Sequence, residues 1–250
     1  MDYKKFREIF RGLDRAYGVY FKGETKENGK LSGKAYIKKE PLLEEYYKNH
    51  LLGQDPSLGV VPIMDNSNCF WGCCDIDKYP LDFKSIIKKL RLKKIPMSVC
   101  RSKSGGAHLF LFTKQAVSAT IMRNKLYEIA AFLGYADCEI FPKQTEIKAD
   151  RGDTGNFLNL PYHGGAKGLR YAFDDECNAA NLESFYSIYD AAVQTPDQVH
   201  EIVVTKKVEV KKEAFVDGPP CLNKLADEGF GEGSRNNALF NVAVYHKQAN

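Results

Sequence analysis

The sequence lacks the marks of a membrane protein and of a secreted protein held together by disulfides. No apolar run approaches the roughly 20 residues that a membrane-spanning helix needs, and the first residues do not form the apolar core of a signal peptide. The 7 cysteines are an odd number without the spacing of a disulfide framework, which fits a reducing compartment. We therefore expect a cytoplasmic protein without a membrane partner.

A strong excess of one charge is also missing. The chain has 36 basic and 32 acidic residues, a formal net charge of +4, which permits a nucleic-acid partner without demanding one. Hydrophobic residues make up 44% and aromatic residues 12% of the 250 residues. This composition argues against disorder and suffices for one large core or two small ones.

Zinc-ligand spacing is absent as well. Cys69, Cys73 and Cys74 lie close together, but no second pair of Cys or His residues stands at ligand spacing. In a strand, alternation sends Cys73 and Cys74 to opposite faces. We therefore expect no structural zinc.

What is present is an alternation of strand-like and helix-like segments, which is typical of a mixed α/β domain. Residue patterns predict helices over 2–16, 40–52, 82–92, 117–133 and 179–193, and strands over 58–64, 68–77, 96–101, 107–113, 136–142 and 156–160. We expect a core over residues 1–200, a linker or edge strand over 201–218, and the start of a helical region over 219–250. Because that region ends inside a predicted helix, 236–247, we expect the sequence to be truncated.

Two carboxylates one residue apart end the apolar run that begins at Cys69. Side chains i and i+2 of a strand share a face, so Asp75 and Asp77 are expected to point the same way. Like charges this close are costly unless a cation lies between them. Carboxylate oxygens suit Mg²⁺ and Mn²⁺, and acids that hold two such ions are typical of phosphoryl-transfer enzymes. A strand that simply ends in an acidic turn is the alternative.

A polar turn with two adjacent glycines leads into the next apolar strand. Gly105 and Gly106 let the backbone approach a ligand and point amide N–H groups at it. Lys103 and Ser104 add donors of the kind that a polyphosphate needs, and His108 is a further donor at the start of the strand. The run is not a P-loop, because the Gly-Lys-Ser/Thr ending and a following helix are missing. An ordinary hairpin turn is the alternative.

Further acids and a second polar turn follow. Asp137 and Glu139 share a strand face, and either acid is able to complete a metal-binding triad with the earlier pair. Alternation does not separate the two, and an edge strand with solvated acids is the alternative. Asn159 and His163 lie where a short strand runs into a glycine turn, which supplies donors to a sugar or phosphate or simply turns the chain.

The order and spacing of these motifs resemble the archaeo-eukaryotic primase, or Prim-Pol, superfamily. Asp-x-Asp, Ser-x-Ser-Gly-Gly-x-His, Glu-x-Phe-Pro-Lys-Gln and Gly-Asn-x-x-Asn-Leu-Pro follow one another along the chain. The resemblance covers roughly residues 45 to 170 and is closest to primase-polymerases of phages, plasmids and bacterial conflict systems. One departure is Phe110, two residues after the motif histidine, where many relatives carry tryptophan.

The resemblance implies a Prim-Pol core, in which an N-terminal α/β unit packs on a mixed sheet like that of the RNA-recognition motif (RRM). The active site is expected in the cleft between the two, and a helical C-terminal appendage follows. The implied metal-binding and catalytic acids are Asp75, Asp77 and Glu139, with Asp137 as the runner-up for the third. The implied nucleotide-binding residues are Lys103, Ser104, Gly105, Gly106, His108, Asn159 and His163.

The implied reaction is DNA-templated joining of nucleoside triphosphates on single-stranded DNA with two Mg²⁺ or Mn²⁺ ions, for replication priming in a prokaryotic or phage-infected cell. A fused or associated replicative helicase is a further expected partner. Three alternatives stay open. They are a metal-dependent nuclease, a noncatalytic module that binds single-stranded DNA, and a repair polymerase that extends ends without starting chains.

Overall fold

The computed structural model describes residues 2–25, 31–204, 222 and 235–248. Two compact units divide the chain, Met1–Val204 and Thr205–Asn250. The helices of the first unit are α1 (Tyr3–Ile9), α2 (Glu44–Leu52), α3 (Phe83–Leu92), α4 (Ala119–Leu133), α5 (Leu182–Ala192) and α6 (Pro196–Glu201). Its strands are β1 (Tyr17–Thr25), β2 (Leu31–Lys38), β3 (Ser57–Val60), β4 (Asn68–Ile76), β5 (Ser98–Arg101), β6 (Ala107–Ser118), β7 (Glu139–Phe141) and β8 (Leu158–Asn159).

Strands β4 to β7 form one sheet of order β5-β6-β4-β7. Its elements follow one another as β4, α3, β5, β6, α4 and β7, which is the β-α-β-β-α-β arrangement. The mixed α/β class and the RRM-like sheet are thus confirmed. The expected mixture of strand directions within the sheet is wrong, since every pairing is antiparallel. The reason is topological. Two strands that a helix joins run parallel to each other, but in this sheet they are not neighbours, because a third, antiparallel strand lies between them.

The RRM-like sheet is buried on both faces, which explains why β4 is apolar on both sides. Cys74 and Ile76 belong to the cluster formed with α3 and α4, where Leu126 is also buried. Trp71 alternates to the other face, where it packs edge-on against Phe10, just after α1, at 5.8 Å between ring centroids. Helices therefore cover one face of the sheet, and the opposite face adjoins the N-terminal part of the unit.

The remaining strands form a second antiparallel sheet of order β2-β1-β3-β8. Leu58 and Val60 of β3 belong to the same buried cluster as Phe10 and Trp71. The two sheets therefore share one apolar core, to which α1, α2 and α5 contribute.

Buried His50 of α2 ties the helix to the second sheet. Its Nδ1 accepts a hydrogen bond from the Leu58 amide at 2.9 Å, which leaves the proton on Nε2. Nε2 donates that proton to the Pro161 carbonyl oxygen at 2.7 Å. Burial lowers the pKa of His50 to about 3, so the ring is neutral in the folded protein.

Several elements differ from the sequence prediction. Strands β1 and β2 and helix α6 were not predicted, and β6 extends to Ser118 rather than ending near residue 113. Helix α1 ends at Ile9 rather than near residue 16, because the chain turns to pack on the strand region beside it. A Cβ on Gly12 would lie only 2.1 Å from the Val61 carbonyl oxygen, and the Leu13 amide donates to that oxygen at 2.9 Å. The predicted linker or edge strand 201–218 begins on Glu201, which is the last residue of α6.

Residues 205–218 of that segment lie outside the described residues, as does most of the predicted region 219–250. In the second unit the structure describes Leu222 and helix α7 (Arg235–Gln248), which agrees with the helix predicted over 236–247. Within the described ranges, no helix has both the length and the apolar character needed to cross a bilayer.

Candidate active site

Three of the predicted site residues lie in one row across the RRM-like sheet. Asp75 of β4 pairs directly with His108 of β6 on one side and with Glu139 of β7 on the other. Cys100 of β5 continues the row beyond His108. Residues that pair directly across strands project from the same face. The sheet therefore gathers a carboxylate, an imidazole and a second carboxylate that are far apart in the sequence.

Asp75 is the most buried acid of the row, with 17% of its side chain exposed. Nε2 of His108 lies 3.3 Å from Oδ1 of Asp75, close enough for an ion pair if the imidazole is protonated. The direction is not that of a hydrogen bond, so this buried oxygen has no donor among the described residues. An unsatisfied buried carboxylate oxygen is costly, and a bound cation would remove that cost.

Glu139 and Asp137, which alternation leaves equivalent, have different surroundings. Glu139 is in register with Asp75 and forms an ion pair with Lys143 at 2.7 Å. Asp137 precedes β7 and accepts a hydrogen bond from Lys78 at 2.9 Å. That bond is the main reason why the pKa of the Asp137 carboxyl is lowered. The register favours Glu139 as the third acid, and its side chain is 60% exposed, so it has room to rotate.

Asp77 follows the last residue of β4 and lies beside the glycine turn. Its Oδ1 accepts a hydrogen bond from the Tyr79 hydroxyl at 2.9 Å and would lie 3.3 Å from a Cβ on Gly106. That Cβ would also lie 2.3 Å from the Ile76 carbonyl oxygen. Only glycine lets the turn approach the end of β4 this closely, and the acid pair and the turn are therefore neighbours.

The turn is the tight connection between β5 and β6. The Ser102 amide donates to the Gly106 carbonyl oxygen at 2.8 Å, and Gly105 adopts a positive φ of 96° that favours glycine. Ser104 is exposed in the turn. Burial raises the pKa of Tyr79, while a hydrogen bond with Ser104 lowers it. Tyr79 thus contacts both the turn and, through Asp77, the acid pair.

Lys103 extends from the turn toward the other sheet. Its Nζ lies 3.6 Å from the centre of the Tyr20 ring of β1, a cation–π contact. Lys103 and His163 line one cleft of about 300 Å³. Burial is the main cause that lowers the pKa of His163. Two of the predicted nucleotide-binding residues therefore lie in the cleft. His163 is separate from the row that contains Asp75.

Asn159 is also outside that row. It pairs with Gly59 of β3, and strand alternation puts it on the same sheet face as Ser57 and Tyr20, which line the cleft. Its Oδ1 is buried without a hydrogen-bond partner in the part of the chain that the structure describes. Asn159 therefore shares a sheet face with two residues of the cleft, but it does not line the cleft itself and it lies outside the row of the acids.

Comparisons with known proteins show which family the chain belongs to. The sequence model of the Archaeo-Eukaryotic Primase (AEP) domain of TOTE conflict systems matches residues 4–181. The chain belongs to this family. Among solved structures, the chain is similar to the AEP domain (PP-N190) of the primase-polymerase (PrimPol) of cyanophage S-2L, with 11% sequence identity and a TM-score of 0.43. That match covers 80% of this chain and 95% of the phage domain. No curated protein matches the chain.

The donors of the AEP domain fit hard divalent cations, which the superfamily generally uses. The three acids offer only oxygen atoms, and Asp75 has an oxygen without a donor. In the described residues, no three His, Cys, Asp or Glu side chains lie close enough together to coordinate one metal ion. Two of the acids instead contact Lys143 and Tyr79, and each would rotate to reach a shared ion.

The cysteines near the acids behave as apolar residues. Cys73 and Cys74 lie in different buried clusters, as alternation predicts. Burial raises the pKa of Cys73 far above its ordinary value, and a hydrogen bond with Cys138, followed by burial, raises that of Cys74. Both are therefore neutral thiols.

Two residues of the AEP domain escaped the sequence analysis. Tyr79 contacts Asp77 and, through Ser104, the turn. Its position two residues after Asp77 is visible in the sequence and could have singled it out. Arg170 is buried in the cleft that Lys103 lines, but no motif singles it out in the sequence.

Proposed function

We propose that this AEP domain is a DNA-templated primase-polymerase, which joins nucleoside triphosphates on single-stranded DNA by two-metal nucleotidyl transfer for replication priming. The observation that carries the proposal is the row in which Asp75 lies between Glu139 and His108. This row combines acids suited to metal ions with a donor suited to a phosphate oxygen. Membership of a nucleotidyltransferase superfamily supports the same chemistry.

In this proposal Asp75, Asp77 and Glu139 hold Mg²⁺ or Mn²⁺. Asp75 supplies the buried oxygen that lacks a donor. Glu139 and Asp77 rotate away from their present partners to complete the set. When bound, two divalent ions activate the attacking 3′-hydroxyl and stabilise the charge of the leaving pyrophosphate.

The glycine turn and His108 hold the triphosphate of the incoming nucleotide in line with the acids. His108 has 8% of its side chain exposed and lies in the row, so its position is fixed by the sheet. Ser104, Lys103 and the amides of the turn are the further donors of this proposal, and Gly106 brings the turn close to Asp77. The Gly105 amide donates to the Ser102 carbonyl oxygen at 3.2 Å, so it would have to leave that partner to bind a phosphate. Much of the rate enhancement then comes from positioning and electrostatic stabilisation.

The direct test incubates the protein with primed and unprimed single-stranded DNA, Mg²⁺ or Mn²⁺, and labelled ribo- or deoxynucleotides. We expect template-dependent products on both templates. Extension of primed templates alone would support the repair polymerase and contradict priming. Loss of template DNA without incorporation would indicate a nuclease, and binding without any reaction would indicate the noncatalytic module.

Replacement of His108 distinguishes the polymerase from the nuclease. His108→Ala should abolish incorporation because the triphosphate loses a fixed donor, whereas a nuclease has no triphosphate to hold. Incorporation at the wild-type rate by His108→Ala would contradict the role proposed for this residue.

A further inference from the structure

Two exposed aromatic rings lie side by side on the hairpin of β1 and β2. Phe21 is 39% and Tyr36 47% exposed, and their rings are stacked with 6.0 Å between centroids and 16° between planes. Neither ring belongs to a described apolar cluster. A single apolar side chain at a surface is ordinary, but two large rings held together in water indicate a contact surface.

The register of the hairpin places lysines beside these rings. Phe21 of β1 pairs with Lys34 of β2, and Val19 pairs with Tyr36. Lys38 follows Tyr36 by two residues, so it shares the same face. We call the surface formed by Phe21, Lys34, Tyr36 and Lys38 the aromatic face. Strand β2 is the outermost strand of its sheet, which leaves this face open at one side.

The aromatic face and the cleft that Lys103 lines are on opposite sides of β1. Tyr20 and Lys22 line that cleft, and they alternate with Phe21 along the strand. A molecule bound on the aromatic face therefore does not occupy the cleft or the row of acids.

A small cavity continues the aromatic face at its inner end. It has a volume of about 150 Å³, and its lining includes Tyr17, Val19, Lys38, Tyr46 and Asn49. The rings of Tyr17 and Tyr46 lie 5.0 Å apart, and the Asn49 amide has both donors and acceptors. Pockets for drug-sized ligands measure about 300–1,000 Å³, so this cavity suits a single planar ring system.

The charges of the aromatic face decide between a protein and a nucleic acid as its partner. Lys34 is exposed and forms no ion pair with a side chain that the structure describes. Lys38 forms an ion pair with Glu40 at 3.2 Å, and Asp55 is a second acid at the cavity. Lysine is depleted at the centre of protein interfaces, whereas a nucleic acid uses lysine for its phosphates. Because the excess of cations is small, most of the binding has to come from the rings.

We propose that the aromatic face is a stacking platform for the unpaired bases of a single-stranded nucleic acid. One base continues the stack that Phe21 and Tyr36 already form, Lys34 contacts a phosphate, and a further base enters the cavity beside Asn49. Aromatic rings bind unpaired bases with little sequence preference, because every base has a π-face. The platform holds a part of the strand that lies outside the cleft. The choice of a nucleic acid rests in part on the proposed function.

Photocrosslinking of the full chain in metal-free buffer tests the position of the strand. The probes are oligonucleotides of about 12 residues, one of 5-bromodeoxyuridine and one of 5-bromouridine. Irradiation joins such a base to an aromatic ring against which it is stacked, and mass spectrometry of the peptides identifies the ring. We expect crosslinks at Phe21 or Tyr36 with one probe or both. Crosslinks that avoid both rings overturn the inference.

Fluorescence anisotropy with labelled thymidine and uridine oligonucleotides tests the contribution of the rings. Phe21→Ala/Tyr36→Ala should weaken binding about tenfold or more, because a stacking surface is lost. Tyr36→Phe is the matched control, since it keeps the ring and loses only the hydroxyl. Tyr127→Ala is a second control, because it removes a ring of α4 that is 44% exposed and lies outside the aromatic face. Both controls should bind like the wild-type protein.

Weaker binding of DNA alone, of RNA alone or of both by the double variant supports the inference and identifies the strand. A double variant that binds like Tyr127→Ala overturns it. Sedimentation tests a second copy of the chain as the occupant. A wild-type dimer that becomes a monomer in the double variant, with unchanged oligonucleotide binding, also overturns the inference. If the double variant fails to fold, crosslinking of the wild-type protein still decides the question.

The platform and the proposed function fail independently. The double variant keeps the acids, so it should incorporate nucleotides with the wild-type kcat and a raised KM for the template. Crosslinks at Phe21 or Tyr36 in a protein that incorporates no nucleotide would support the platform and contradict the proposed function. Incorporation without crosslinks at either ring would do the reverse.

Discussion

At the scale of single residues, His50 shows how one neutral side chain connects a helix to a sheet. Both ring nitrogens are used, by the Leu58 amide and the Pro161 carbonyl oxygen. Protonation of Nδ1 would break the bond from Leu58 and put a charge in the core. The ordinary pKa of 6.5 falls to about 3 on folding because the ring is buried. The unfolded chain therefore binds the proton first when the pH falls.

This linkage predicts an acid-sensitive fold. The stability that depends on neutral His50 is complete above pH 6.5 and decreases toward pH 3 by about 1.4 kcal/mol per pH unit. His50→Gln, which does not titrate, should be less stable at pH 7 by about 1–3 kcal/mol and should lose less stability on acidification. Urea denaturation of both proteins between pH 7 and pH 4 measures the difference. Parallel pH dependences would contradict the linkage.

The third acid gives a second prediction at this scale. Glu139→Gln should lower nucleotide incorporation by at least the ~10–100-fold that loss of an outer-shell partner costs a metal site. Asp137→Asn is the matched control, because Asp137 pairs with Lys78 outside the row. Primer extension measures both variants. Loss of activity in Asp137→Asn with normal activity in Glu139→Gln would exchange the two assignments.

This pair of acids also shows where sequence reasoning stops. Alternation has a period of two, so it places Asp75 with Asp77 and Asp137 with Glu139 but does not choose within a pair. The choice comes from register, which depends on contacts between strands that are distant in the sequence. Arg170 illustrates a second limit, because its burial depends on tertiary structure and leaves no local motif.

At the scale of elements, the connection between β5 and β6 determines how close the acid pair lies to the turn. Gly106 is the critical position, since a Cβ there would collide with the Ile76 carbonyl oxygen at 2.3 Å. Backbone atoms do not move aside as the end of a flexible side chain does. The hairpin was predictable from its glycines, but its contact with the end of β4 was not, because that contact needs the strand order of the sheet.

Gly106→Ala should therefore lower the free energy of unfolding by about 1–3 kcal/mol through overpacking and should also reduce incorporation, because the turn withdraws from Asp77. Thermal unfolding and primer extension measure the two effects. Gly134→Ala is the control, where φ is 91° but no atom lies within 4 Å of the added Cβ. It should lose stability through backbone strain without loss of activity. Normal incorporation by Gly106→Ala would contradict the proposed contact.

At the scale of the whole molecule, the unit Met1–Val204 contains the described apolar clusters and every site residue. The helices and strands of the RRM-like sheet were predictable from residue patterns, and the type of sheet from the resemblance. Strands β1 and β2 and helix α6 were not predicted. The end of α1 was not predictable from the sequence, because it depends on the close packing of Gly12 against Val61. The role of residues 205–250 stays a prediction.

A chain that ends at Val204 should fold and incorporate nucleotides, because its core and its candidate site need no later residue among those described. Circular dichroism during heating and primer extension test this expectation. A truncated chain that unfolds at room temperature would show that Thr205–Asn250 is part of the core. A folded but inactive chain would instead assign that unit a role in substrate binding.

The central claim is that Asp75, Asp77 and Glu139 hold the catalytic ions. Anomalous diffraction from crystals grown with Mn²⁺ and a nonhydrolysable nucleotide tests it most directly. We predict Mn²⁺ at about 2.0–2.2 Å from oxygens of these acids, close to the Mg²⁺ distance, with the triphosphate against His108 and the glycine turn. Ions bound at Asp137 instead, or a row of acids that stays without metal beside bound nucleotide, would contradict the account.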